Sequence, residues 1–139
     1  MKTNAIALLA IVVALAVGVS SAQLPEPLTF RAPFAFAVGD RVLPAGEYIV
    51  RAASTPMMIL SFTSADGKVS AFIRSIPVQK TETETRFRLV FHRYGVHYYI
   101  SEIWTPGERI GRTMMQCPSE LELAKSSASQ HVILYADAR

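Results

Sequence analysis

The chain has few of the residues that usually announce a small protein's chemistry. It holds one cysteine, Cys117, among 139 residues. An internal disulfide is therefore impossible, and the fold must hold by packing. Its single asparagine, Asn4, lies in the N-terminal apolar segment, so the remainder carries no Asn-x-Ser/Thr glycosylation acceptor. No long block of like charge occurs, and the net charge is only +3, which argues against nucleic acid as a partner. There is no Gly-x-Ser-x-Gly elbow, no βαβ pattern and no internal repeat.

What is present begins at the N-terminus. Met1-Lys2 precedes an apolar run of 15 residues, Ala5 to Val19, and then Ser20-Ser21-Ala22. A basic start, a short greasy middle and a small-x-small end predict a secretory signal peptide over 1–22, cut before Gln23. The run is shorter than the roughly 20 residues a spanning helix needs, so no transmembrane segment is expected in the mature chain. Export to the periplasm, cell envelope or medium follows. Removing the leader takes away Lys2 and no acidic residue, leaving 13 Lys/Arg against 11 Asp/Glu, or +2. Residues 23–139 are read as a single β-rich domain, long enough to bury roughly two-thirds of its unfolded surface.

Leu28 to Val38 alternates from Thr29 on, and Pro33, which donates no ladder hydrogen bond, makes it an edge strand or a strand with a break. Arg41–Leu43, Pro44-Ala45-Gly46 and Glu47–Ala53 read as a compact hairpin. Met57–Thr63 and Lys68–Ile76 flank Asp66-Gly67, a strong hairpin signal. With Asp66-Gly67 as a two-residue loop, Phe62 faces Ala71 and Leu60 faces Ile73; a slipped three-residue loop is the alternative. Pro77–Thr85 reads as a loop. Arg86–His92 and His97–Trp104 form the most hydrophobic hairpin, expected at the sheet centre with Phe91 facing Tyr98 and Leu89 facing Ile100. Arg109–Cys117 is a short strand or extended crossing. Ser119-Glu120-Leu121-Glu122 has the Ser-x-x-Glu form of a capping box, opening a helix to about Ser127 with a narrow stripe of Leu121, Leu123 and Ala124. His131–Ala136 closes the domain as a strand. The expected fold is mainly β: a single-domain antiparallel β-barrel or β-sandwich of about 7–8 strands, with one short helix near the C-terminus.

Candidate chemistry is thin. His92 and His97 flank Tyr94-Gly95, and a two- or four-residue loop sets them opposite each other, but a zinc site needs three or four ligands; the neighbours on that face, Arg88 and Ser101, supply a cation and a hydroxyl, and Arg93 lies next to His92. They read as two partly exposed histidines whose joint change to Ala barely moves the melting temperature. Cys117 reads as a small buried side chain, too far ahead of the helix, and too near Glu120, to be an activated thiol. Glu82, Glu84, Arg86 and Arg88 read as a solvated face with surface pairing. Arg86, Arg88, Arg93, Arg109 and Arg112 suggest an anion-binding surface at most. Trp104 reads as a lid on the core, and Met57-Met58 and Met114-Met115 as gap-fillers.

Pro33-Phe34-Ala35-Phe36 with Val38-Gly39, followed by Leu43-Pro44-Ala45-Gly46-Glu47-Tyr48, is similar to the opening of small, uncharacterised exported proteins abundant in Acidobacteria. Leu89-Val90-Phe91 with Arg93-Tyr94-Gly95, then Tyr98-Tyr99-Ile100-Ser101 and Trp104, resembles their central hairpin, and Pro118-Ser119 with its Glu/Leu-rich helix resembles their late helix. The resemblance covers most of the mature chain. It implies export and a β-rich fold, and carries no catalytic residue. No catalytic or metal residue, ligand site or cofactor is assigned. The expectation is a non-enzymatic structural or interaction module of the cell envelope that pairs with itself or another envelope protein through an exposed sheet edge. The alternative is a β-barrel holding a small apolar or anionic ligand. Secreted from a bacterial host, the chain should yield an intact mass starting at Gln23. A mass retaining Met1 would remove the leader assignment.

Overall fold

The computed structural model describes residues 27–54 and 59–138; the expected leader and Met57-Met58 lie outside them. Ten strands and one helix follow in order: β1 (Leu28–Ala32), β2 (Phe36–Val38), β3 (Arg41–Leu43), β4 (Gly46–Ala52), β5 (Ile59–Ser64), β6 (Ser70–Gln79), β7 (Phe87–Tyr94), β8 (His97–Trp104), β9 (Ile110–Met114), α1 (Pro118–Ser126) and β10 (Gln130–Ala138). They form a mostly antiparallel open sheet in the order β3-β2-β8-β7-β10-β1-β4-β5-β6-β9. The parallel exception is β2 on β8, through Ala37 and Tyr99.

The β-rich class and the late helix stand, but the closed barrel does not. A barrel needs an uninterrupted ladder all the way round. Here β9 pairs with β6 over five residue pairs but meets β8 at only two, and β10 leaves β1 after two. The strand count exceeds 7–8 partly because Pro33 splits the first run into β1 and β2.

Turn chemistry explains most of the connections. Asp66-Gly67 gives the expected β5–β6 register, Phe62 opposite Ala71 and Leu60 opposite Ile73. Asp66 accepts from the Ser64 hydroxyl at 2.6 Å and the Lys68 N–H at 3.0 Å; the Ser64 bond, ahead of the Lys68 contact, holds its carboxyl below the usual range. The expected β3–β4 hairpin is absent. Instead Gly39-Asp40 links β2 to β3, with Val38 opposite Arg41 and Gly39 at φ +63°. Pro44-Ala45 turns the chain so that β4 pairs with β1 and β5, and the Tyr48 hydroxyl fixes that corner on the Pro44 carbonyl. The expected loop from Pro77 starts later, because Pro77 and Val78 continue β6 opposite Arg112 and Gly111.

The β7–β8 register also differs from expectation. Gly95 adopts φ +61°, so Gly95-Val96 alone makes the turn and Tyr94 faces His97. Phe91 then meets Ile100 rather than Tyr98. A bulge leaves Ser101 unopposed, after which Leu89 faces Ile103. The extra residue switches the inward parity of β8, so Ile100 and Ile103 both enter the core.

The sheet curls until its two halves face each other across an aromatic interior. Phe30 of β1 lies 6.3 Å from Phe91 of β7, and Phe36 of β2 lies 5.1 Å from Tyr48 of β4. Phe62 closes the cluster 6.3 Å from Phe30 and 6.4 Å from Phe36. Leu28, Leu43, Val50, Leu60 and Leu89 are as deeply buried, each worth about 1.5–3 kcal/mol over exposure. Met114 joins this core, whereas Met115 is half-exposed. Phe62→Ala should cost about 3–5 kcal/mol by urea denaturation. Phe72→Ala, on the outer face of the neighbouring strand, should stay within about 0.5 kcal/mol. Equal losses would contradict the inside–outside assignment of the β5–β6 hairpin.

Candidate functional site

The most concentrated polar chemistry lies where α1 rests on the outer face of β7 and β8. Ser101 lies beside His92 on that face, and their Oγ and Nε2 atoms are 3.1 Å apart. The other imidazole nitrogen, Nδ1, lies 3.1 Å from Glu120 Oε1. The same carboxylate oxygen accepts from the Tyr94 hydroxyl at 3.2 Å and the Gln116 amide at 3.3 Å. Burial, then the Glu120 charge, pushes the Tyr94 phenol up from its ordinary value. On the β10 side His131 stacks against His92, rings 5.0 Å apart and 15° from parallel. A second set of bonds fixes the helix start: Tyr99 donates to Ser119 at 3.2 Å, and the Cys117 thiol donates to the Gly39 carbonyl at 3.1 Å and lies 3.0 Å from Ser119 Oγ.

Several readings of individual residues change. His92 and His97 do not face each other: His97 sits at the turn opposite Tyr94, and His92 faces Tyr99 and His131. No group of three or more His, Cys, Asp or Glu side chains able to hold a metal gathers among the described residues. His92 is engaged at both nitrogens, so its loss should cost more than the sequence reading expects. Cys117 is half-buried and is itself the helix N-cap, with Pro118 at the first position. Proline suits that position because its missing N–H has no intrahelical partner there. The capping box consequently does not form: no side chain caps the helix, and Glu122 pairs with Lys125 at 2.8 Å. The apolar stripe was also misjudged. Leu121 is exposed, and the helix docks through Leu123 and the buried Glu120.

Other candidates disperse. Glu84 accepts from Lys80 and, at 3.3 Å, from Arg88, and the Lys80 bond leads in holding its carboxyl below the usual range. Arg112 is tied to Ser75 by two bonds of 3.1 Å, and burial lowers its guanidinium's pKa. Arg93 lies over Tyr98, and Arg86 over Tyr135. The arginines thus serve separate neighbours rather than one anion. Trp104 is buried as expected of a lid, although on the outer face; its indole donates to Glu102 at 2.7 Å, and Lys80 stands 4.4 Å above the ring.

Ser101, His92 and Glu120 follow the order nucleophile, base and orienting carboxylate, at distances such a relay uses. Access is what they lack. Ser101 is 8% exposed and Glu120 4%. Three surface clefts lie elsewhere: about 460 Å³ beside Pro118, Leu121 and Lys125, about 260 Å³ between Pro44–Tyr48 and Ser64–Val69, and about 250 Å³ between Phe36, Val42, Val96 and Tyr98. None of these three is lined by a member of the relay. The geometry therefore acts as a clasp, holding a mostly exposed helix to the sheet by hydrogen bonds rather than by apolar area. Sequence reasoning missed Glu120 because it was weighed only as an acidic neighbour of Cys117; the signal available was its i,i+3 phase with Leu123.

No protein-family model, curated protein or solved structure matches the chain. Glu120→Ala should cost about 1–3 kcal/mol, because it strands buried donors, and should speed amide exchange in α1. Glu120→Gln, which keeps an acceptor oxygen, should cost less. The His92/His97 double Ala variant should melt measurably lower, almost entirely through His92. Unchanged stability in all of these would remove the clasp.

Proposed function

We propose that the chain is an exported, non-catalytic structural or interaction module of the cell envelope. The single observation that carries this reading is the open sheet. Over Gln130–Ala136, β10 is paired with β7 on one side only, and among the described residues no strand covers the other side. Such an edge offers unused backbone donors and acceptors to another chain. The leader-like first 22 residues and the resemblance to exported Acidobacterial proteins support the compartment. The enclosed position of the Ser101–His92–Glu120 array supports a structural rather than catalytic use of its polar groups. The packing of one half of the curled sheet on the other supports a sandwich-like description.

A second reading, small-ligand binding, rests on the cleft of about 250 Å³ beside Phe36, Val42, Val96, His97, Tyr98 and Tyr99. It is the weaker one, because the interior between the sheet halves is filled by side chains such as Phe36, Phe62 and Phe91, and the cleft lies at the surface.

The test is co-sedimentation of the mature protein with washed bacterial envelope fragments. Saturable retention that Ile133→Lys weakens is expected. A protein that stays in the supernatant and also never self-associates would overturn the interaction reading. Saturable enhancement of an apolar fluorescent probe, lost in Val96→Asp, would favour the ligand reading instead.

A further inference from the structure

We infer that Gln130–Ala136 of β10 is a self-pairing edge, which takes the same segment of a second copy, antiparallel, across a two-fold axis at Ile133. The inference rests on the interaction reading and names its partner. The edge arises from a divergence. β10 pairs with β7 at seven positions, from Gln130 to Ala136, but with β1 only at Asp137 and Ala138. From Phe30 onward β1 follows β4, and it ends at Ala32, ahead of Pro33. Alternate residues of a strand direct their N–H and C=O groups to opposite sides. Half of the backbone groups of Gln130–Ala136 therefore point away from β7, with no ladder partner among the described residues.

This edge lacks the features that usually guard one. β3, at one end of the strand order, is only three residues long and carries Arg41. Gln130–Ala136 contains no proline and no Lys, Arg, Asp or Glu. Its outer face shows Ile133 at 38% exposure and Tyr135 at 53%, while Val132 and Leu134 on the other face lean on the core.

A second copy fits because the segment is complementary to itself. An axis at Ile133 sets Ile133 opposite Ile133, Val132 opposite Leu134 and His131 opposite Tyr135. Core-side residues meet core-side residues, outer residues meet outer residues, and no like charges oppose. Pairs of this kind, aromatic or β-branched directly opposite one another, are the unit of sheet stabilisation. Two-fold contacts are also the commonest among identical chains.

The experiment is light scattering on the purified mature chain together with cysteine cross-linking, the cysteine variants being made with Cys117→Ser. A dimer is expected that dissociates in Ile133→Lys and Tyr135→Lys; the first should melt close to the parent, and the second lower, because it removes the ring that Arg86 lies over. Directly opposed residues lie at Cα separations of about 4.5–5.5 Å, within disulfide reach. Ile133→Cys should therefore oxidise to a covalent dimer while Phe72→Cys, exposed on β6, should not. A dimer that survives both lysine variants and cross-links equally through Phe72→Cys overturns the edge assignment but leaves the interaction reading standing. A chain that remains monomeric at its highest soluble concentration also overturns the self-pairing. If that monomer ignores envelope fragments as well, the broader reading falls with it.

Discussion

The fold depends on the contacts of Phe30 with rings from both halves of the sheet. Phe30 comes from the first strand, yet lies within 6.3 Å of Phe36, Tyr48, Phe62 and Phe91 by ring centre. Those partners belong to β2, β4, β5 and β7, so a single side chain ties together most of the curl. With one cysteine in the chain, no covalent link replaces that contact. The closure entropy of joining residues some sixty positions apart must be offset by apolar burial alone. The consequence is a domain whose hairpins have local signals but whose stability is long-range.

The second organising feature is the bulge at Ser101. Had β7 and β8 kept one register throughout, residues of even number would have faced inward along the whole of β8, and Ile103 would have pointed to solvent. The additional residue sends Ile103 inward, and Ser101 keeps its place on the outer face beside His92. The helix is thus fastened by polar groups that strand geometry aims, not by an amphipathic face of its own. This explains how α1 can leave Leu121 exposed and still be placed. The order of a nucleophilic relay is by itself insufficient evidence for catalysis, because the same three groups serve as well to fix a helix.

Local turn chemistry was the most legible part of the sequence. Asp66-Gly67 sets its hairpin register because the aspartate side chain completes the turn that the glycine permits, and both are visible in the primary structure. Pro33 leaves an edge strand and a broken strand both open, and the break is what forms. Errors arose where two turn signals competed. Pro44-Ala45-Gly46 and Gly39-Asp40 are both good turns, and only the pairing of β4 with β1 decides which one closes a hairpin. Gly95 could serve a two-residue or a four-residue loop, and that ambiguity displaced the expected register of the central hairpin. The polar clasp was not readable from spacing, because His92, Ser101 and Glu120 are joined by strand pairing and a helix dock rather than by a motif. Strand alternation sets Ser101 on the face of His92, but nothing in the spacing adds Glu120 to them.

Gly111 and Trp104 close against each other so tightly that a Cβ on the glycine would come within 2.5 Å of the indole. Trp104 is the chain's single tryptophan, and it stands where β8 and β9 meet at only two residue pairs. Its near-ultraviolet emission is therefore a built-in optical gauge of that short seam. Separation of β9 from β8 would register in the spectrum even while the aromatic interior stayed intact.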